Sequence, residues 1–172
     1  LGNHDVYTGA DQVAAGIREL TPIHLLRDSF VQLTIRDAPL WIVGIEDGGH
    51  GMADRGIESQ ALGRLASALP RMGDRIVLVH RPNYLPQIER LGFPLALAGH
   101  THGGQVSLPM PVQHWNVARV MTPWTRGLIT SGATRLYVNR GLGVGGIAMR
   151  LNCPREIGVL TLQPDNHDGV GE

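Results

Sequence analysis

An α/β fold is predicted for this chain by three observations. Short apolar runs of strand character alternate with stretches of helical spacing, and no internal repeat breaks the alternation. Two of the apolar runs end on histidine. Glycine, at 23 of 172 residues, marks tight turns and places where backbone must come close to a ligand.

Ala10 to Leu20 reads as a helix with Val13, Ile17 and Leu20 on one side, stopped by Thr21-Pro22. Phe30 to Arg36 alternates as a strand, Asp37-Ala38-Pro39 turns the chain, and the apolar run Leu40 to Ile45 completes a hairpin. Beyond the glycine-rich loop 46–56, Ile57, Ala61, Leu62, Leu65 and Leu69 recur at helical spacing up to Pro70. Arg75 to Val79 is a buried strand ending on His80, Asn83 to Leu91 a short helix, and Pro94 to Ala98 a buried strand ending on Gly99-His100. Two further strands, Arg135 to Asn139 and Ile157 to Leu162, flank a glycine loop. Residues 1–163 are expected to form one domain, and the polar tail 164–172 to fray.

Composition excludes several chemistries. The 15 basic residues balance 15 acidic ones, so bulk charge points to no nucleic-acid partner. All 15 are arginine, which removes Schiff-base enzymes, P-loop ATPases and kinases, each of which needs a lysine. The single Cys153 forms no intrachain disulfide and builds no cysteine-rich zinc or iron-sulfur site. No apolar run of about 18 residues reads as a membrane span. Leu1 leads directly into Gly2-Asn3-His4-Asp5, so the chain is expected to be a fragment, with a cytoplasmic or cell-envelope location left open.

The histidines carry the functional signal. His80, His100 and His102 fall at the carboxyl ends of buried strands, where open sheets bind ligands. In an extended segment His100 and His102 would share one side, with Thr101 pointing away and Gly99, Gly103 and Gly104 leaving room. Mn, Fe and Zn accept such imidazoles together with an amide or carboxylate oxygen, which Asn3 can supply. His24, His50, His114 and His167 read as ordinary structural histidines.

The blocks Gly2-Asn3-His4-Asp5, Val79-His80-Arg81-Pro82 and Gly99-His100-Thr101-His102-Gly103-Gly104-Gln105, in that order, resemble the calcineurin-like metallophosphoesterase superfamily. Leu108-Pro109, Asn139 to Gly143, Arg150, Cys153-Pro154 and Glu156-Ile157 resemble its bacterial cell-envelope branch. The resemblance implies the larger, carboxyl-terminal part of a four-layer αββα sandwich. The superfamily's opening D-x-H and G-D-x-x-D blocks do not precede Leu1, so this chain alone is expected to be far less active than a longer parent.

Two divalent ions (Mn, Fe or Zn) are implied, one held by Asn3, His80 and His100, the other bound by His102. His4 would act at the leaving-group oxygen with Asp5 orienting its ring, while a metal-bridging hydroxide attacks phosphorus. Arg140 and Arg150 are candidate substrate contacts. The implied substrate is a phosphodiester or pyrophosphate of a membrane or wall precursor. The irregular stretch Leu108 to Trp124, with two tryptophans, is a candidate lid or peripheral membrane contact.

Rival readings are weaker. Gly141 to Gly146 matches G-x-G-x-x-G, but only ten residues, including Asn152 and Pro154, precede the next expected strand, too few for a crossover helix. No G-x-S-x-G elbow is present. The alternative class is a non-catalytic metal- or phosphoglycan-binding module on the same fold.

Overall fold

A computed structural model describes residues 1–49, 58–70, 73–109, 112 and 115–163. His50, His114, His167, the start of the helix expected from Ile57, most of the glycine loop 46–56 and the tail 164–172 lie outside the described residues.

The elements in chain order are α1 (Asn3–Leu20), β1 (Ser29–Ile35), β2 (Ala38–Gly44), α2 (Gln60–Ala68), β3 (Asp74–Leu78), α3 (Leu85–Arg90), β4 (Leu95–Ala98), β5 (Gly127–Ser131) and β6 (Thr134–Val138). One mixed sheet joins the strands in the order β1-β2-β3-β4-β6-β5. Its four central strands, β2, β3, β4 and β6, run parallel, and the two edges are antiparallel hairpin strands. All four central strands therefore point their carboxyl ends to one edge of the sheet.

One face of the sheet carries the core. Val43, Val77, Val79, Ala96, Ala98, Leu136 and Val138 alternate onto it and pack against Leu62 and Leu69 of the α2 region and Leu85 and Ile88 of α3. The opposite face is less covered, with Leu78 37% exposed. The class is α/β as expected, and the single six-stranded sheet with its helices agrees with the carboxyl-terminal part of the expected sandwich. No helix among the described residues is long and apolar enough to cross a membrane.

Several elements differ from their sequence expectation for identifiable reasons. Helix α1 starts at Asn3, not Ala10, and is bent at Gly9 (φ 123°, ψ 89°), a conformation that breaks helical periodicity. The hairpin turns on Arg36 and Asp37 (φ 49° and 64°), with Ile35 opposite Ala38, so Ala38 and Pro39 belong to β2. Two left-handed residues between paired strands are the type I′ arrangement, whose twist matches that of the strands. Strand β5 has no counterpart among the expected elements. The stretch expected as a strand from Ile157 joins no ladder among the described residues, and Ile157 and Val159 are 76% and 88% exposed. The glycine loop 141–146 leads into no helix, which removes the dinucleotide geometry.

Candidate metal centre

The parallel ladders continue past the strand ends. Ile45 N–H donates to Leu78 O at 3.0 Å, Val79 N–H to Leu97 O at 3.0 Å, Gly99 N–H to His80 O at 3.1 Å and Asn139 N–H to Ala98 O at 2.8 Å. The residues immediately beyond β2, β3, β4 and β6 are thus held as firmly as the strands themselves.

Asn3, in the first turn of α1, is 3% exposed. Asp5 caps that turn, its Oδ2 accepting the Gly2 N–H at 2.8 Å, so its carboxylate faces the helix start. A Cβ on Gly2 would lie 2.7 to 3.0 Å from the His80 ring, so the glycine lets backbone press against the imidazole. The result is convergence. His80 Nε2 lies 2.8 Å from Asn3 Oδ1 and 3.1 Å from His100 Nδ1, across 77 and 20 residues of sequence.

Three donor atoms bound to one ion at about 2.0 to 2.2 Å would stand roughly 2.8 to 3.6 Å apart at right-angled to tetrahedral angles. The observed spacings are of that size. A neutral His80 carries at most one hydrogen on Nε2, which cannot satisfy both contacts with good geometry. If Nε2 is protonated, it serves Asn3 and meets His100 poorly; if it is bare, it faces the Asn3 oxygen lone pair to lone pair. A cation at the shared point removes that conflict. Among the described residues no group of three or more His, Cys, Asp or Glu side chains gathers to hold an ion, so the candidate set is two imidazoles and an amide oxygen.

Electrostatics favour the ligand form. Burial pushes His80 down from 6.5 to about 4, with Arg81 adding to the effect against the pull of Asp47. Burial likewise lowers His100 to about 4, with His80 and Arg81 contributing. Both rings are therefore neutral near pH 7, with a lone pair available for a metal.

His100 and His102 do not sit on an extended segment, contrary to expectation. Both adopt left-handed backbone (φ 67° and 50°) around a helical Thr101 (φ −74°). The reason is Thr101, which is buried and donates its hydroxyl to Thr125 O at 2.7 Å, curling the chain as it leaves β4. Left-handed conformations in non-glycine residues are costly and cluster at functional sites.

His102 is half-buried, and its pKa is lowered by burial and by Arg150, while its bond to the Gly143 carbonyl opposes the shift. Gly145 stands close above it, since a Cβ there would lie 3.2 Å from His102 Nε2. His4 is exposed, its ring edge-on to Tyr7 at 6.0 Å. Arg140 pairs through Nε with Glu156 at 2.7 Å. Arg150 donates to Arg140 O at 2.7 Å, His102 O at 3.1 Å and Gly143 O at 2.6 Å, so its guanidinium holds loop backbone together. His24 is exposed on the surface. The two tryptophans of the 107–124 stretch separate: Trp124 packs on the core, whereas Trp115 is 58% exposed.

Sequence reasoning missed one pair. Asp47, beyond β2, and Arg81, next to His80, form a buried ion pair with side chains 0% and 2% exposed. The available signal was a charged residue shortly after each of two apolar strands.

Comparison with known proteins adds the family. No family model and no solved structure matches. Over 164 residues, 95% of the chain, it is 32% identical to an uncharacterized metallophosphoesterase of Campylobacter jejuni, covering 41% of that protein. It is 30% identical over 174 residues, 96% of the chain, to the uncharacterized metallophosphoesterase YkuE of Bacillus subtilis, covering 55% of it. A third relative, the phosphodiesterase YaeI of Escherichia coli, is 33% identical over 93 residues, which are 51% of the chain and 32% of that protein. The chain thus spans about half the length of the first two. Similarity running through nearly all of this chain places it in the calcineurin-like metallophosphoesterase superfamily.

Proposed function

We propose that this chain forms part of the active site of a divalent-metal-dependent phosphoester hydrolase. The observation that carries the reading is the convergence of Asn3 Oδ1, His80 Nε2 and His100 Nδ1 at the carboxyl edge of a parallel sheet. These three side chains hold one ion, and His102 serves a second. Such ions, when bound, supply Lewis-acid stabilisation of the charge on phosphorus and its oxygens and lower the pKa of water.

The remaining roles belong to the chain itself. Burial keeps His80 and His100 neutral, so neither adds positive charge that would repel a cation. Exposed His4 stands one residue from Asn3, free to bring a proton to a leaving oxygen. The substrate class proposed is a phosphodiester or pyrophosphate. The exposed Leu108, Trp115, Val117 and Val120, beyond the turn that carries His102, support contact with a lipid portion of that substrate.

The test separates ligand from proton donor. In a longer parent protein that carries this chain, His80→Ala should deplete bound Mn measured by elemental analysis, and with it hydrolysis of bis-p-nitrophenyl phosphate. His4→Ala should lower turnover while leaving metal content near that of the wild type. Equal metal loss in the two variants would contradict the assigned roles.

A further inference from the structure

The buried Asp47–Arg81 pair lies next to the candidate centre without belonging to it. Arg81 Nε donates to Asp47 Oδ2 at 2.6 Å and Nη2 to Oδ1 at 3.3 Å, a two-point fork. Asp47 Oδ1 also accepts the Gly49 N–H at 2.8 Å, so both carboxylate oxygens are engaged. Burial pushes the Asp47 carboxyl up, but Arg81 and the Gly49 amide outweigh it and hold the group below its ordinary range. This carboxylate is kept ionised and turned toward the guanidinium.

The connections of the pair run to two of the three donor residues. Arg81 is covalently next to His80. Asp47 N–H donates to Leu1 O at 3.2 Å, two residues before Asn3, and Tyr7 of α1 donates its hydroxyl to Gly49 O at 3.3 Å. The loop after β2 is thus clamped to the start of α1 by backbone and to the end of β3 by the ion pair. Buried ion pairs contribute little net stability compared with apolar residues of similar size. Their distinctive property is directional: a fork fixes distance and orientation, which an apolar contact does not.

We infer that Asp47 and Arg81 are positioning residues that hold the Asn3 oxygen and the His80 imidazole at the spacing one cation requires. The inference rests on the metal reading above. Supporting residues of this kind change metal affinity by about 10- to 100-fold when removed.

The test is titration with Co2+, followed by visible absorption, alongside thermal unfolding of the metal-free protein. The wild type should bind the ion. Replacing both partners with apolar residues, Asp47→Leu with Arg81→Met, should keep stability close to wild type while weakening cobalt affinity at least ~10-fold and altering the spectrum. Arg81→Lys keeps the charge without the fork, and should also lose ~10-fold in affinity. It decides the matter if the double variant does not fold. Wild-type affinity and spectrum in a folded double variant, or in Arg81→Lys, would overturn the proposal. Absence of cobalt binding by the wild type would instead overturn the metal reading, and this inference with it.

Discussion

The two sides of the candidate centre are built in different ways. On one side Asn3, His80 and His100 aim donor atoms directly at a common point. On the other, His102 is tied through backbone: its carbonyl accepts from Arg150, which also binds the carbonyls of Arg140 and Gly143. The first side is a set of ligands with little slack. The second is a loop assembly centred on one guanidinium. Changes on the first side should therefore act on the first cation, and loss of the guanidinium that holds the second side should act mainly on stability.

The largest expected effect is on the first side. Replacing His80 or His100 with alanine should weaken binding of a divalent cation by more than ~100-fold, about 2.7 kcal/mol, because each supplies one of three donors. Metal-free stability should change much less, as measured by urea unfolding. The comparison would break if either variant lost most of its stability while retaining cation affinity.

Next comes Arg150→Ala, which removes the guanidinium bonds to the carbonyls of His102, Arg140 and Gly143, although His102 O still accepts the Gln105 N–H. A loss of about 2 kcal/mol in urea unfolding is expected, since hydrogen bonds from a charged group are each worth roughly 1.5 to 3 kcal/mol and solvent reaches part of this cluster. Affinity for the first cation should stay within about threefold of wild type, well under 1.4 kcal/mol. A tenfold fall would show that the two sides are coupled.

Gly2→Ala sharpens the comparison from the first side, because the added methyl would lie 2.7 Å from His80 Cε1. Displacing that ring should cost about tenfold in cation affinity, roughly 1.4 kcal/mol. Isothermal titration with Mn2+ reads it directly.

The most gradual effect is that of pH. His80 and His100 titrate near 4 in the folded chain and from 6.5 in the unfolded one. Between those values the unfolded state binds more protons, so stability is fully present above about pH 6.5 and declines as pH falls toward 4. Urea midpoints from pH 7 to 4.5 should fall steadily, and His80→Ala should flatten the slope.

How much of this was legible in sequence depended on how local each feature is. Strands β3, β4 and β6 were readable because each is an apolar run with a clear stop, and the convergence of Asn3, His80 and His100 was legible in the order of the motifs. The start of α1 was hidden by Gly9, whose left-handed backbone interrupts the helical pattern. Strand β5 was hidden because it is a short edge strand in which only Ile129 packs on the core while Leu128 is 63% exposed, too little apolar patterning to stand out. The opposite error came at Ile157 to Leu162, where apolar alternation imitates a strand but no neighbour pairs with it among the described residues. The curl at His100 and His102 depends on the Thr101 bond to Thr125 O, 24 residues away, which no local pattern encodes. The Asp47–Arg81 pair is equally non-local.

Asn3, His80 and His100 are expected to share one cation. Anomalous diffraction from crystals grown with Mn2+ or Zn2+ tests it most directly. The expected result is a strong peak about 2.0 to 2.2 Å from Asn3 Oδ1, His80 Nε2 and His100 Nδ1 together. A fully loaded crystal whose ion lies elsewhere, or which leaves Asn3 and His100 outside the coordination sphere, would contradict the account.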